Sequence, residues 1–169
     1  MERIPEGADT VIVIAFSAKN SSLISRAIRF VTRWKHSHVA LLSPDGQFYA
    51  ESTGDQFYDA GANHMRDGVR MVPIASLMSR DDVELRTIDH PHPELVWEHA
   101  VSLIGSRYDR KYPWGWLFNR PDMQDAEKYS CDELIRVAMR RAGHDPFPEG
   151  VTQTSPRDFY LHSQELPKE

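Results

Sequence analysis

One hairpin signal constrains the fold of this chain more than any other feature. The run from His38 to Leu42 reads as a strand, Pro44-Asp45-Gly46 is a tight-turn sequence, and Gln47 to Ser52 reads as the returning strand. Side chains alternate between the two faces of a strand, so the turn decides which residues share a face. The sequence therefore predicts an antiparallel pair with a small set of allowed registers.

These registers differ in where they place Glu51 relative to His38. A two-residue turn at Asp45-Gly46 puts His38 opposite Thr53, with Glu51 diagonally beside it on the same face. A two-residue turn at Pro44-Asp45 puts Glu51 directly opposite His38, whereas a three-residue loop sends Glu51 to the other face. Either even-length turn brings a carboxylate within hydrogen-bonding reach of the imidazole.

The other strand and helix patterns are segregated along the chain rather than strictly alternating. Further strands are predicted at Val11 to Phe16, Val69 to Ile74 and Val83 to Ile88. Helices are predicted from Ser21 or Ser22 to about Trp34, from Pro93 to Gly105, from Cys131 to Ala142, and after Ser155. Loops are expected from Asp55 to Asp67 and from Gly105 to Lys128. This organisation predicts an α+β fold, an antiparallel sheet packed against helices, in a single domain spanning residues 1–169.

Composition favours a soluble globular protein. The chain has 169 residues, of which 40% are hydrophobic and 27% are charged. Its net charge of −5 argues against nucleic acid as a partner, because nucleic-acid-binding proteins usually carry a basic face. The longest apolar run, Val11 to Phe16, is too short to span a bilayer. Since no signal-peptide pattern opens the chain, we expect a cytoplasmic protein without a membrane span.

Cys131 is the only cysteine, and it stands where a polar loop turns into an amphipathic helix. A lone thiol cannot form an intramolecular disulfide or a multi-cysteine zinc site, so it is either a buried filler or a nucleophile. Unpaired N–H groups and the macrodipole at a helix N-terminus stabilise a thiolate, which favours the nucleophile. His38 is the candidate base and Glu51 the acid that orients it. His36 is an alternative base, because it shares the strand alternation of His38.

The remaining histidines do not predict a metal site, and no cofactor is expected. In His90-Pro91-His92 a proline separates the two imidazoles and no cysteine is nearby, so a helix-entry loop explains this segment and His99 better than a metal does. His64 lies in a glycine-flanked loop and is expected at the surface.

Aromatic residues before the Cys131 helix are candidates for substrate binding. If their segment is extended, alternate side chains lie on one side and can line a cleft: Tyr112, Trp114, Trp116 and Phe118. The candidate substrate-binding residues are Tyr108, Trp114, Trp116 and Tyr129. The hydroxyl of Tyr108 or of Tyr129 can also join the backbone N–H of Cys131 in stabilising an oxyanion.

Several short motifs, taken in their chain order, resemble a known family. They are a strand that begins Ser37-His38-Val39-Ala40, an acid on the returning strand, and a late helix that begins Ser130-Cys131 and continues Glu133-Leu134-Ile135. Three further segments follow the same pattern: Gly7-Ala8-Asp9, Gly105-Ser106-Arg107-Tyr108-Asp109 and Thr154-Ser155-Pro156-Arg157-Asp158. Together they resemble the circularly permuted papain-like group of the NlpC/P60 superfamily, in which the histidine precedes the cysteine.

The resemblance implies a permuted papain-like fold with a Cys-His-Glu triad. Cys131 corresponds to the nucleophile, His38 to the base and Glu51 to the polar third residue. The implied reaction is acyl transfer through a thioester, with a peptide or a lipid-like acyl group as substrate. A hydrolase that cleaves an amide, such as a cell-wall peptide, is the first expectation. The alternatives are a lipid-directed acyltransferase or lipase on the same fold, and a non-catalytic binding module.

Overall fold

The computed structural model describes residues 10–18, 26, 29, 30, 33–118 and 120–166. Within these residues, six strands form one sheet: β1 (Val11–Ser17), β2 (His38–Leu42), β3 (Phe48–Asp59), β4 (His64–Pro73), β5 (Glu84–Asp89) and β8 (Gln164–Glu165). Their order across the sheet is β4-β3-β2-β1-β5-β8, and every neighbouring pair is antiparallel. The predicted α+β class with an antiparallel sheet is confirmed.

Helices and a second, two-stranded sheet complete the described part. The helices are α1 (Ala75–Met78), α2 (Pro93–Ser102), α3 (Tyr112–Leu117), α4 (Cys131–Arg141) and α5 (Pro156–Leu161), with a 3-10 turn at Pro121–Met123. The short strands β6 (Arg107–Tyr108) and β7 (Lys128–Tyr129) pair in parallel. No helix among the described residues is long and apolar enough to cross a membrane.

The hairpin between β2 and β3 has the register predicted for a turn centred on Asp45-Gly46. Leu41 lies opposite Ala50, and Leu42 lies opposite Tyr49. Gly46 has a φ of 66°, a left-handed conformation that glycine adopts without the steric cost of a Cβ. This register puts Glu51 on the same face of the sheet as His38, as the even-length turn requires.

Each face of the sheet carries its own apolar cluster. The larger cluster combines alternate residues of the strands, such as Val39, Leu41 and Ala50, with residues of α2, α4 and α5. The smaller cluster lies on the opposite face, where the alternate strand residues pack with Leu77 of α1. Its members are Val13, Ala15, Ala40, Leu42, Tyr49 and Leu77. Helix α4 packs directly on β2 and β3. Helix α4, which begins with Cys131, therefore covers the face that Val39 and Leu41 occupy.

Two predicted loops contain regular structure. The segment from Asp55 to Asp67 continues β3 and begins β4, with the turn at Asn63 in a left-handed conformation at φ 56°. A register shift between Thr53 and Phe57 interrupts the pairing and hides the strand pattern in the sequence. The segment from Gly105 to Lys128 contains β6, α3, the 3-10 turn and the start of β7.

The other predicted elements fall close to their expected places. Strand β5 and helix α2 match their predictions, although α2 ends at Ser102 rather than at Gly105. Helices α4 and α5 begin after the serines Ser130 and Ser155, each in a capping box. The helix predicted from Ser21 or Ser22 to about Trp34 lies largely outside the described residues.

Candidate active site

Cys131 is the first residue of α4, and the backbone around it is fixed by a capping box. The Ser130 hydroxyl accepts a hydrogen bond from the Glu133 amide at 3.4 Å, and the Glu133 carboxyl accepts one from the Ser130 amide at 2.8 Å. Cys131 is 4% exposed and belongs to the larger apolar cluster. The helix N-terminus favours negative charge at its sulfur.

Two buried carboxyl groups follow Cys131 and set the charge around it. Oδ1 of Asp132 lies 3.9 Å from the Cys131 sulfur, and Oδ2 accepts a hydrogen bond from Thr154 at 3.0 Å. Burial raises the pKa of Asp132 to about 6, even though Ser130 and Thr154 donate to it. Burial and the charge of Asp132 raise the pKa of Glu133 to about 8. At neutral pH Glu133 is mostly uncharged, and the charge on Asp132 opposes a thiolate at Cys131.

His38 and Glu51 form a buried hydrogen-bonded pair. Nε2 of His38 lies 2.6 Å from Oε2 of Glu51, and the two side chains are 7% and 3% exposed. A carboxylate in this position fixes the imidazole ring and stabilises its protonated form. The two residues sit on β2 and β3, in the hairpin whose register the sequence predicts.

Arg70 extends this pair, and it was not among the residues predicted from the sequence. Its guanidinium donates to Oε1 of Glu51 from Nε at 2.9 Å and from Nη2 at 2.5 Å. It also stacks 4.8 Å over the ring of Phe57. Arg70 is the partner of Glu51 across the β3–β4 pairing, so the register of that hairpin was the signal that could have revealed it.

His36 has different surroundings from His38. Its Nε2 lies 3.2 Å from Oε2 of Glu84 on β5, and Lys35 contacts the same oxygen at 2.7 Å. Burial lowers the pKa of His36, with the hydrogen bond to Glu84 opposing the shift. Burial alone would raise the pKa of Glu84, but hydrogen bonds from Lys35 and His36 bring it down to about 2. The two histidines therefore pair with two separate carboxylates.

Strand alternation places the His38–Glu51–Arg70 row on one face of the sheet. Tyr49, which shares the phase of Glu51, belongs to the smaller cluster, whereas Cys131 belongs to the larger cluster on the opposite face. The thiol and the imidazole can therefore meet only beyond the ends of the strands. His38 is the first residue of β2 and Cys131 the first residue of α4, which suits such a meeting.

Tyr108 and Tyr129 show that Cys131 lies at the same end of the sheet as His38. The tyrosine ring of Tyr108 packs on Gly54, where a Cβ would come within 3.3 Å of it. Burial first, and then the negative charges around it, including that of Cys131, raise the pKa of Tyr108. The carbonyl of Tyr129 accepts a hydrogen bond from Ser52 at 2.5 Å.

These contacts locate the end of the sheet. Continued along the strands, the hairpin register places His38 opposite Thr53, between Ser52 and Gly54. The imidazole and the start of α4 are thus anchored to the same short stretch of β3.

The aromatic segment is helical where a loop was predicted, so the condition of an extended segment is not met. Tyr112 to Leu117 form α3, which Asp109 begins by accepting hydrogen bonds from the Lys111 and Tyr112 amides at 2.9 and 3.1 Å. Tyr112 is buried and bonds Thr154, whereas Trp114 is 41% exposed and stacks on Phe118. Trp116 lies in α3, and its side chain is outside the described part. Tyr108 and Tyr129 are buried.

Neither His90 nor His64 belongs to the His38–Glu51–Arg70 row. His90 is buried, with Nε2 near the Met139 carbonyl at 3.3 Å and Nδ1 accepting from the His92 amide at 3.1 Å. His64 is exposed, as predicted. The described residues contain no group of three His, Cys, Asp or Glu side chains that could hold a metal ion.

The arrangement places a cysteine at a helix N-terminus and holds a buried imidazole with a carboxylate. A guanidinium in turn holds the carboxylate, so the acid–base residues form one continuous hydrogen-bonded row. An imidazole held in a fixed position in this way is suited to general acid–base chemistry. No protein-family model and no curated protein matches the chain.

Proposed function

We propose that this chain is a cysteine hydrolase of the circularly permuted papain-like, NlpC/P60 type, which cleaves an amide through a thioester. The observation that carries the proposal is the buried His38–Glu51 pair at the end of the sheet where α4 begins with Cys131. Burying a histidine and a glutamate, with side chains 7% and 3% exposed, costs desolvation free energy that even a close pair need not recover. Their cost is explained if they perform chemistry.

His38 acts as the base in this proposal. Glu51 accepts the hydrogen of Nε2, so Nδ1 carries the lone pair that takes the proton of Cys131. Arg70 keeps Glu51 ionised through its two hydrogen bonds. With the proton transferred, two anions and two cations occupy the site. That balance offsets the repulsion from Asp132.

The reaction then proceeds in two halves. The thiolate of Cys131 attacks the amide carbon, and its backbone N–H, together with the phenol of Tyr108, stabilises the oxyanion. Collapse breaks the C–N bond, and the leaving amine takes the proton from His38. Water next gives a proton to His38 and attacks the thioester, which releases the carboxylic acid and restores the thiol. Water is the acceptor because the sequence carries no motif for a second acyl acceptor.

The rate of alkylation of Cys131 by iodoacetamide, measured against pH, tests the pairing. In the native protein we expect a thiol pKa below the ordinary value of about 8.5, and His38→Ala should slow the reaction roughly tenfold or more at neutral pH. His36→Ala is the matched control and should leave the rate unchanged. Asp132→Asn should maintain or raise the rate, because it removes a negative charge beside the sulfur.

Two results would count against the proposal. If His38→Ala leaves the rate unaltered, the thiol and imidazole lie on separate faces and do not interact. If Asp132→Asn abolishes reactivity instead, the carboxylate is the proton acceptor and the triad is wrong.

Covalent acyl probes separate the substrate classes. A peptide electrophile should label Cys131 faster than a lipid electrophile of equal intrinsic reactivity, and labelling should require His38. Preferential labelling by the lipid probe would replace the peptide hydrolase with a lipid-directed enzyme. Labelling by neither probe, with an ordinary thiol pKa, would indicate a non-catalytic module.

A further inference from the structure

A long stretch of this acidic protein carries only positive charge. Between Asp9 and Asp45 the sequence contains no aspartate or glutamate, although the chain as a whole has a net charge of −5. The same stretch contains five lysines and arginines: Lys19, Arg26, Arg29, Arg33 and Lys35. Such segregation creates a local positive potential that the net charge conceals.

Part of this stretch lines an open groove of about 740 Å³. Its lining residues are Arg26, Arg29, Phe30, Trp34 and Lys35, and we call it the basic groove. Three of the five lining residues are cationic and two are aromatic. The ring of Phe30 is 84% exposed, the highest value among the exposed large hydrophobic residues of the described part.

The cations of the groove are unequally neutralised. Lys35 contacts Glu84 at 2.7 Å, so part of its charge is balanced within the protein. Among the described residues, no carboxylate forms an ion pair with Arg26 or Arg29. The groove therefore presents three cationic side chains, of which Lys35 already shares its charge with Glu84.

Trp34 fixes one wall of the groove. Its ring packs on Tyr160 with centroids 4.4 Å apart and on His36 at 6.0 Å. The backbone there turns sharply, because Arg33 has a φ of 50° and the Trp34 amide donates to the Arg29 carbonyl at 3.3 Å. Phe30 thus stands exposed beside a wall that is anchored to the folded core.

We propose that the basic groove docks the protein on an anionic phospholipid surface. Guanidinium groups bind phosphate oxygens with well-matched geometry, and aromatic rings are stabilised at the interface between headgroups and acyl chains. A soluble phosphate would pair with Arg26 and Arg29 but would leave Phe30 in water. A bilayer surface accommodates the cations and the phenyl ring together. This inference does not depend on the chemistry of Cys131.

Cosedimentation with vesicles tests the proposal. The intact protein should bind vesicles in which part of the phosphatidylcholine is replaced by phosphatidylglycerol, and it should not bind pure phosphatidylcholine. Each cation near such a surface contributes about a fivefold factor in affinity, so Arg26→Gln/Arg29→Gln should weaken binding roughly 25-fold. Phe30→Ser should weaken it roughly tenfold, because the ring no longer enters the interface. Added salt should reduce binding.

Matched variants on other surfaces provide the controls. Lys111→Gln/Arg141→Gln removes two exposed charges elsewhere, and Phe118→Ser removes another exposed phenyl ring, 65% exposed. Both should bind like the native protein. Absent vesicle binding would overturn the proposal, as would equal losses in the groove and control variants. Binding to inorganic phosphate or to a single-stranded oligonucleotide without vesicle binding would also overturn it in favour of a soluble anion.

Discussion

Replacing Arg70 with methionine removes the cation of its ion pair with Glu51, and the effect on stability can be compared with that of removing the anion. Arg70 donates to one oxygen of Glu51 at 2.9 and 2.5 Å, and His38 contacts the other at 2.6 Å. The side chain of Glu51 is 3% exposed, whereas that of Arg70 is 29% exposed. Water can therefore hydrate the cation of this pair but scarcely reaches the anion.

This difference in exposure sets the expected magnitudes. Arg70→Met leaves a buried carboxylate without its strongest partner and should cost about 3–5 kcal/mol of unfolding free energy. Glu51→Gln leaves a guanidinium that can turn to water and should cost only about 1–2 kcal/mol. The double variant Arg70→Met/Glu51→Gln leaves no buried carboxylate without a partner cation, so it should be more stable than Arg70→Met alone.

Urea unfolding measures these free energies. Arg66→Met is the matched control, because Arg66 lies on the same strand and pairs with Asp59, whose side chain is 26% exposed. Its cost should be below about 1 kcal/mol. The reasoning fails if Arg70→Met costs no more than Arg66→Met, or if the Arg70 and Glu51 effects simply add.

Two further perturbations test the structure away from this row. Burial raises the pKa of Glu133 to about 8, so between about pH 5 and 8 the folded state keeps a proton that the unfolded chain loses. The free energy of unfolding should therefore fall by up to about 1.4 kcal/mol per pH unit over this range. Glu133→Gln should flatten that slope in pH-dependent urea unfolding while Glu149→Gln should not; an unchanged slope would contradict the assignment. At Gly68, with a φ of 116°, a Cβ would lie 2.0 Å from the Ser106 carbonyl oxygen, so Gly68→Ala should cost roughly 3 kcal/mol in thermal unfolding. Gly143→Ala, with a φ of 91° and nothing within 4 Å of the added Cβ, should cost only about 1 kcal/mol. If both substitutions cost the same, backbone strain, and not the clash with Ser106, sets the cost at Gly68.

The part of the site that follows from local rules could be predicted from the sequence. The turn at Asp45-Gly46 fixes the register, and alternation then brings Glu51 to the face of His38. Arg70 could not be predicted as the partner of Glu51, because the register shift between Thr53 and Phe57 makes the sequence of a long hairpin resemble that of an irregular loop. A pattern of period two cannot be followed across such a shift.

The relation of Cys131 to His38 and the shape of the aromatic segment needed tertiary information. Alternation specifies which residues of a strand share a face, but not which face a distant helix covers. The aromatic segment has alternating large side chains, yet Asp109 caps its first amides and starts a helix. That capping interaction outweighs the alternation, and it draws Tyr112 inward while Trp114 stays half exposed.

The row of His38, Glu51 and Arg70 also has a consequence for the order of folding. Its members are 13 and 19 residues apart, on three strands that are neighbours both in the chain and in the sheet. Short loops close quickly and at low entropic cost, so this row can assemble while the ribosome is still making the later half of the chain. Helix α4 reaches the sheet only through a much longer loop closure. A nascent chain would therefore complete this row before Cys131 is in place, and Cys131 would reach the sheet only when α4 docks.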